Sequence, residues 1–98
     1  DATRYFMTID QAVDLVLSTI RNMKGGELVI PELPAYRLGD LVEAMGVTAD
    51  VRGLPSWEKR DEGMSDGNTS DVARRMSVAE LTEKLAEIGF RAPLRVAA

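Results

Sequence analysis

The sequence predicts a small α/β domain of about three helices and two or three short strands. Three observations predict it: a strongly capped amphipathic segment near the amino end, a second one near the carboxyl end, and short apolar segments between glycines and prolines. With 98 residues the chain is about one small domain. We therefore treat residues 1–98 as a single unit, with a polar loop at about residues 55–70.

The first helix is marked by a capping box, in which the Thr8 hydroxyl accepts from the backbone of Gln11 and the Gln11 side chain reaches back. Asp10 adds a carboxylate to the positive first turn, and Gly25 and Gly26 favour an end there. Apolar residues at helical spacing follow the cap: Ile9, Ala12, Val13, Val16, Leu17, Ile20 and Met23. The pattern predicts that this face belongs to the core.

The middle of the chain predicts a strand, a second helix and another strand. Residues 27–31, ELVIP, are typical of a short strand that prolines then interrupt, and residues 47–54 alternate apolar and polar positions. Residues 36–46 carry apolar positions at helical spacing and end at Gly46. These apolar positions are Leu38, Leu41, Val42 and Met45.

The last third combines a polar segment with a third helix. Between residues 55 and 70 the composition turns to charge, glycine and serine. Ser77 and Glu80 then form a second capping box before a helix that ends near Gly89. Two or three short strands are only marginally stable by themselves, so we expect exposed apolar surface or a dimer.

Composition excludes several classes of function. The net charge of -4 argues against generic binding to nucleic acid or anionic membranes. Without cysteine or histidine, the chain offers no disulfide, no thiolate or imidazole metal site and no histidine-activated nucleophile. We assign no metal ligands and no catalytic residues. No apolar run reaches the length of a membrane span, and a reducing cytoplasm is the location that we expect.

Four blocks in order carry a resemblance to a known family: TRYFMTIDQAVDLVL, GGELVIPELPAYRLGDLVEAMG, GLPSWEKRDEGM and TSDVARRMSVAEL. Together they resemble the C-terminal part of extended short-chain dehydrogenase/reductases of the polysaccharide-biosynthesis, CapD-like group. These enzymes are UDP-sugar 4,6-dehydratases and epimerases. The resemblance extends from residue 3 to about residue 85.

The resemblance implies a split enzyme, in which an N-terminal Rossmann domain holds NAD(P) and a smaller lobe closes over the nucleotide sugar. This chain resembles the smaller lobe. It has no glycine-rich dinucleotide turn, and neither Tyr5 nor Tyr36 is followed by a lysine four residues later. We therefore expect no cofactor site in this chain, no catalysis by the chain alone, and partners that are a missing Rossmann domain, a UDP-sugar or further copies of the chain.

Arg4 is the first candidate substrate-binding residue, since it matches the arginine that contacts the diphosphate in enzymes of this group. A planar guanidinium suits that role because it binds phosphate oxygens through two parallel hydrogen bonds. The alternative is an ion pair with a surface carboxylate such as Asp1 or Asp10. We expect the rings of Tyr5 and Phe6 to pack against the helix that follows.

Glu58 and Lys59 are the other candidates, because relatives commonly read Arg-Pro-Gly-Glu-Lys where this chain has GLPSWEK. Pro55 stands where the arginine would be, which leaves the second phosphate contact without its usual residue. Arg52 and Arg60 are the candidates to replace it. The alternative is a solvated loop that Trp57 fixes to the body of the domain.

Other charged residues receive no firm role. Asp61 and Glu62 resemble ordinary exposed carboxylates, and Arg74 and Arg75 form either an anion site or a solvated surface. A second class of function therefore stays open: a stand-alone, noncatalytic module that self-associates or binds a protein partner or a nucleotide sugar.

Overall fold

The computed structural model describes residues 1–65 and 67–90; Asp66 and residues 91–98, which the single-domain assignment included, lie outside the described residues. The described part is an α/β arrangement with three helices, as predicted, and its four short strands, where two or three were expected, form two small antiparallel sheets. In chain order its elements are β1 (Thr3–Tyr5), α1 (Ile9–Asn22), β2 (Ala35–Arg37), α2 (Leu38–Met45), β3 (Gly63–Ser65), β4 (Asn68–Thr69) and α3 (Val78–Glu87).

The β1–β2 ribbon lies at the centre of the domain. The two strands run antiparallel, with Arg4 opposite Tyr36. On one side the backbone of Ala35 donates to the carbonyl of Arg74 at 2.8 Å, and on the other side Thr3 donates to the carbonyl of Arg60 at 3.0 Å. Segments that are not themselves strands thus extend the ribbon at both edges.

The hydrophobic core is small and lies where α2 and α3 pack together beside the ribbon. Its buried side chains are Ala35, Met76, Leu81 and Leu85. Helix α3 begins with the predicted capping box, in which Ser77 accepts from the backbone of Glu80 at 3.1 Å. The backbone N–H of Met76 donates to the carbonyl of Ala35 at 2.8 Å and attaches the start of α3 to the ribbon. The position of the helix is therefore fixed by a residue that precedes its first turn.

Helix α2 is shorter than predicted at its amino end. Tyr36 and Arg37 belong to β2, because pairing with β1 holds them extended, and the helix starts at Leu38. It ends at Gly46 as expected, where a φ of 70° is readily adopted only by glycine.

Helix α1 begins as predicted but does not pack as predicted. Thr8 accepts from the backbone of Gln11 at 3.1 Å, and the Gln11 side chain accepts from the backbone of Thr8 at 2.9 Å. The assignment of its apolar face to the core is wrong, because no residue of α1 is buried. Ile9 is 80% exposed and Ile20 is 62% exposed.

The two strands predicted from local composition are also wrong. Residues 27–31 and 47–54 form no strand, and Leu28 and Val51 are largely exposed. Apolar alternation needs a neighbouring strand to pair with, and neither segment has one in the described part of the chain. The polar segment instead holds the hairpin β3–β4, with Gly63 opposite Thr69. In the portion that the structure describes, no helix has the length and apolar character needed to cross a membrane.

Candidate functional site

The candidate site forms where β1 meets residues 58–62. The Arg4 guanidinium donates from Nη2 to the Glu58 carboxylate at 2.7 Å and to the carbonyl of Lys59 at 2.8 Å. From Nη1 it donates to the carbonyls of Thr3 at 2.6 Å and Arg60 at 2.7 Å. The sequence positions of Arg4 and Glu58 differ by 54 residues, so the fold alone brings them together.

All three predicted binding residues are therefore neighbours, and their contact with a substrate stays a prediction. The alternative prediction, an ion pair of Arg4 with a carboxylate, is confirmed, but the partners are Glu58 at 2.7 Å and Glu62 at 3.6 Å and not Asp1 or Asp10. The Arg4 side chain is 21% exposed, so it is neither free in solvent nor sealed off from it.

Lys59 supplies the accessible cation of the cluster. Its ammonium lies 3.2 Å from the Glu62 carboxylate, and its side chain is 71% exposed. Of the two candidates to replace the missing second arginine, Arg52 pairs with Asp50 at 2.8 Å on an exposed segment. Arg60 is exposed and holds Arg4 through its backbone carbonyl.

The polar segment is fixed by buried hydroxyls and not by Trp57. Trp57 is 80% exposed, so the proposal that it anchors the loop is wrong. Thr3 and Ser70 are both buried, and their hydroxyl oxygens lie 2.6 Å apart. Thr3 also donates to the carboxylate of Asp61. These contacts hold the backbone at residues 60–62 beside β1.

We call the hydrogen bonds that join Thr3, Asp61, Ser70 and the backbone of Glu62 the buried lock. Their directions follow from counting the hydrogens that each hydroxyl carries. A hydroxyl carries one hydrogen and two lone pairs. Thr3 uses its hydrogen on Asp61, so Ser70 directs its own hydrogen towards Thr3, whose hydroxyl oxygen lies at 2.6 Å and whose carbonyl lies at 3.3 Å, and accepts from the backbone of Glu62 at 2.8 Å. The backbone of Ser70 donates to the carbonyl of Glu62 at 2.8 Å. Sequence reasoning therefore missed Thr3, Asp61 and Ser70. Thr3 lies 58 residues from Asp61 and 67 residues from Ser70 in the sequence, so no local pattern links them.

The aromatic residues after Arg4 contact the ribbon and the hairpin. The Tyr5 hydroxyl donates to the Asn68 side chain at 2.9 Å, and the Phe6 ring meets the Tyr36 ring edge-on with centroids 6.4 Å apart. Desolvation, and then the charge of Asp71, raise the pKa of Tyr5. Tyr5 therefore stays a neutral hydrogen-bond donor near neutral pH.

A groove of about 630 Å³ adjoins the hairpin, between residues 30–34 and residues 67–74. Asn68 lies on its wall and connects it to Tyr5, the neighbour of Arg4. Arg74 also lines it but donates to Glu80 at 3.1 Å, and that hydrogen bond, followed by the backbone of Ser77, lowers the pKa of Glu80. Arg75 is exposed.

The strand-to-helix connections of the described residues contain no glycine-rich turn, and the absence of a dinucleotide site in this chain stays a prediction. A dinucleotide site needs glycines in a turn that leads from a strand to a helix. The connection from β1 to α1 is Phe6-Met7-Thr8, β2 runs directly into α2, and the connection from β4 to α3 at residues 70–77 has no glycine. Across residues 1–65 and 67–90, no group of three or more acidic side chains is placed to hold a metal ion.

Comparison with known proteins identifies the relatives of this chain. It is 31% identical over 72 residues to a UDP-N-acetylglucosamine 4,6-dehydratase (inverting) of Campylobacter jejuni serotype O:2, a match that covers 71% of this chain and 22% of the relative. The enzyme of the same name from serotype O:23/36 is 30% identical over the same share of both chains. An uncharacterized membrane protein of Methanocaldococcus jannaschii is 44% identical over 45 residues, or 46% of this chain and 14% of that protein.

The chain spans about a fifth of the length of the two dehydratases that it matches. A family model described as polysaccharide biosynthesis protein matches residues 1–85, which include every helix and strand of the structure except the end of α3. The chain therefore belongs to the polysaccharide biosynthesis protein family, as the resemblance of its four sequence blocks predicted.

Proposed function

We propose that this chain is the substrate-binding C-terminal segment of a UDP-sugar 4,6-dehydratase or epimerase of polysaccharide biosynthesis. Membership of the family and the two dehydratase relatives support this proposal. The single observation that carries it is the meeting of Arg4, Glu58 and Lys59, since these are the three positions at which the sequence predicts substrate contact.

The cluster has the chemistry that a diphosphate needs. Arg4 supplies a planar cation whose hydrogen bonds have fixed directions, and Lys59 supplies a flexible point charge. Glu58 and Glu62 hold the two cations in place. In a chain with a net charge of -4, attraction for a phosphate has to be local, and we assign it to Arg4 and Lys59, whose charges Glu58 and Glu62 balance in this structure.

A complete enzyme also needs NAD(P), which takes up hydride during the reaction of such enzymes. We propose that an N-terminal Rossmann domain supplies it, and that this segment does not catalyse the reaction alone. The exposed apolar face of α1 supports a missing neighbour, because six large apolar side chains there remain at least 46% exposed. They are Ile9, Val13, Val16, Leu17, Ile20 and Met23. A cytoplasmic location is part of the same proposal.

The test uses the full-length product of the gene that encodes this chain. With NADP present, it should convert UDP-N-acetylglucosamine to a product that is lighter by one water, as mass spectrometry reports. R4A and K59A should raise KM for the UDP-sugar, because each removes a cation beside the phosphates. K24A, which removes an exposed lysine two residues after the end of α1, is the matched control. An unchanged KM in both cluster variants would contradict the proposed contacts.

The second candidate is a noncatalytic module that self-associates, and the face of α1 is the observation in its favour. If copies of the chain cover one another there, light scattering should report a dimer at micromolar concentration. A charge placed in the face, as in V16D, should return the monomer, while D14N on the polar side of the helix should leave the dimer intact. A monomer at every concentration would remove this candidate.

A further inference from the structure

The Arg4 guanidinium has no terminal donor to spare in this structure. Nη1 and Nη2 carry four hydrogens between them. Their acceptors are the carbonyls of Thr3, Arg60 and Lys59 and the carboxylate of Glu58. A phosphate that needs two parallel hydrogen bonds from this guanidinium must therefore displace at least one of these acceptors.

Glu58 is the acceptor that can leave. The other three are backbone carbonyls; that of Arg60 also accepts from the backbone of Thr3 at 3.0 Å, and that of Thr3 also accepts from the Ser70 hydroxyl at 3.3 Å. The Glu58 carboxylate is at the end of a flexible side chain that is 35% exposed. A rotation about its side-chain bonds moves it into water without breaking any backbone hydrogen bond.

The buried lock keeps the site in shape during such an exchange. Thr3 and Ser70 are 2% and 0% exposed; their hydroxyls hold Asp61 and Glu62, and the backbone of Thr3 holds Arg60. None of these hydrogen bonds involves Glu58. Departure of its carboxylate therefore leaves the backbone that supports Arg4 and Lys59 in position.

We propose that the Glu58 carboxylate is an internal stand-in for the ligand: it occupies the position on Arg4 Nη2 that a phosphate oxygen takes, and ligand binding exchanges one anion for the other. This inference rests on the proposed function, in which Arg4 contacts the diphosphate. The exchange keeps a partly buried guanidinium paired before the ligand arrives. It also reduces affinity, because the resident carboxylate competes with the phosphate.

The test is a set of calorimetric titrations of the full-length gene product with UDP. E58Q should bind UDP about two- to fivefold more tightly than the unaltered protein, the range expected when a partly exposed ion pair no longer has to be broken. E58D keeps the negative charge but shortens the side chain, so it should also bind more tightly. Because E58D loses the contact but keeps the charge, tighter binding by both variants would show that the lost contact, and not the lost charge, raises the affinity for UDP.

Two controls define what else could produce the gain. E62Q neutralises a carboxylate that lies 3.6 Å from Arg4 Nε and 3.2 Å from the Lys59 ammonium, so a gain in this variant reports the charge of the cluster and the release of Lys59, and not the exchange on Arg4 Nη2. E83Q removes an equal charge from an exposed position on α3 and should change nothing. Equal gains in E58Q and E62Q, with none in E58D, would overturn the exchange and indicate general electrostatics.

Failure of the exchange and failure of the proposed function give different results. Weaker binding by E58Q and E58D, with R4A also weakened, would overturn the exchange and leave Arg4 as a ligand contact that Glu58 positions. Binding by R4A equal to that of the unaltered protein, or no binding of UDP by any form, would overturn both. Thermal melting of each variant shows that it is folded before its titration is interpreted.

Discussion

Helices α1 and α3 begin with the same local signal, but their apolar faces lie in different surroundings. Each begins with a hydroxyl residue whose side chain accepts from the third residue of the helix, and each has an amphipathic pattern. Helix α3 buries Leu81 and Leu85, whereas α1 buries no residue. Capping and periodicity thus determine where a helix begins and which face is apolar, and the neighbour determines whether that face is buried.

The difference arises from what precedes each helix. Met76 pairs with Ala35 two residues before α3, so α3 starts on the ribbon and packs against α2. Before α1, the backbone of Phe6 donates to the carbonyl of Pro34 at 2.9 Å. The helix itself does not pack extensively against another element of the described chain. Helix α3 therefore packs within this chain, whereas the apolar face of α1 is exposed, as the proposed missing neighbour requires.

The largest expected effect separates the two apolar faces. In the 98-residue chain, L81A should reduce the free energy of unfolding by about 2–5 kcal/mol, because it leaves a cavity in the core. L17A, the matched change on α1, should cost less than about 1 kcal/mol, since Leu17 is already 46% exposed. Urea denaturation measures both, and equal costs would break the comparison.

The next effect concerns the buried lock beside the ribbon. S70A removes the partner of the Glu62 backbone N–H and of the Thr3 hydroxyl oxygen, so unfolding should become easier by about 1–3 kcal/mol. S56A, at an exposed serine of the same segment, is the control and should be neutral. A neutral S70A would mean that the lock does not hold residues 60–62.

The two capping boxes should respond differently to the same change. S77A removes the cap of a helix that belongs to the core, so it should lower the global stability by about 1 kcal/mol. T8A should instead unwind the first turn of α1, which circular dichroism reports as lost helix with little change in the unfolding midpoint. A shift of the midpoint by T8A as large as that by S77A would show that α1 unfolds together with the core.

The smallest effect is a pH dependence at the start of α3. The Arg74 hydrogen bond lowers the pKa of Glu80 in the folded chain. Its contribution to stability is therefore present above the pKa of the unfolded side chain and is lost as pH falls through the lower, folded value. E80Q should show a flatter melting temperature across that acidic range, and an identical pH profile would contradict the assignment.

Sequence reasoning predicted local features well and long-range contacts poorly. Both capping boxes and the glycine end of α2 involve residues within one or two turns, so the sequence shows them directly. Strands β1 and β2 were missed because each has three residues, too few for an alternating pattern, and because both exist only through their pairing. The family resemblance compensated in part, since it selected Arg4, Glu58 and Lys59 before the fold placed them together.

The hydroxyl lock was beyond prediction for a physical reason. Threonine and serine are common at exposed positions, and nothing near Thr3 or Ser70 in sequence indicates that both are buried. The exposed apolar face of α1 was foreseen only as a general expectation of uncovered surface. The assignment of that face to the core failed because periodicity identifies an apolar face without identifying its partner.

The most direct test compares hydrogen–deuterium exchange of α1 in the 98-residue chain and in the full-length gene product. It asks whether another part of the protein covers the apolar face of this helix. The account predicts that the α1 amides exchange rapidly in the chain alone and become protected in the full-length protein, while α3 is protected in both. Equal exchange of α1 in the two samples would contradict it, because the apolar face would then have no partner in the rest of the polypeptide.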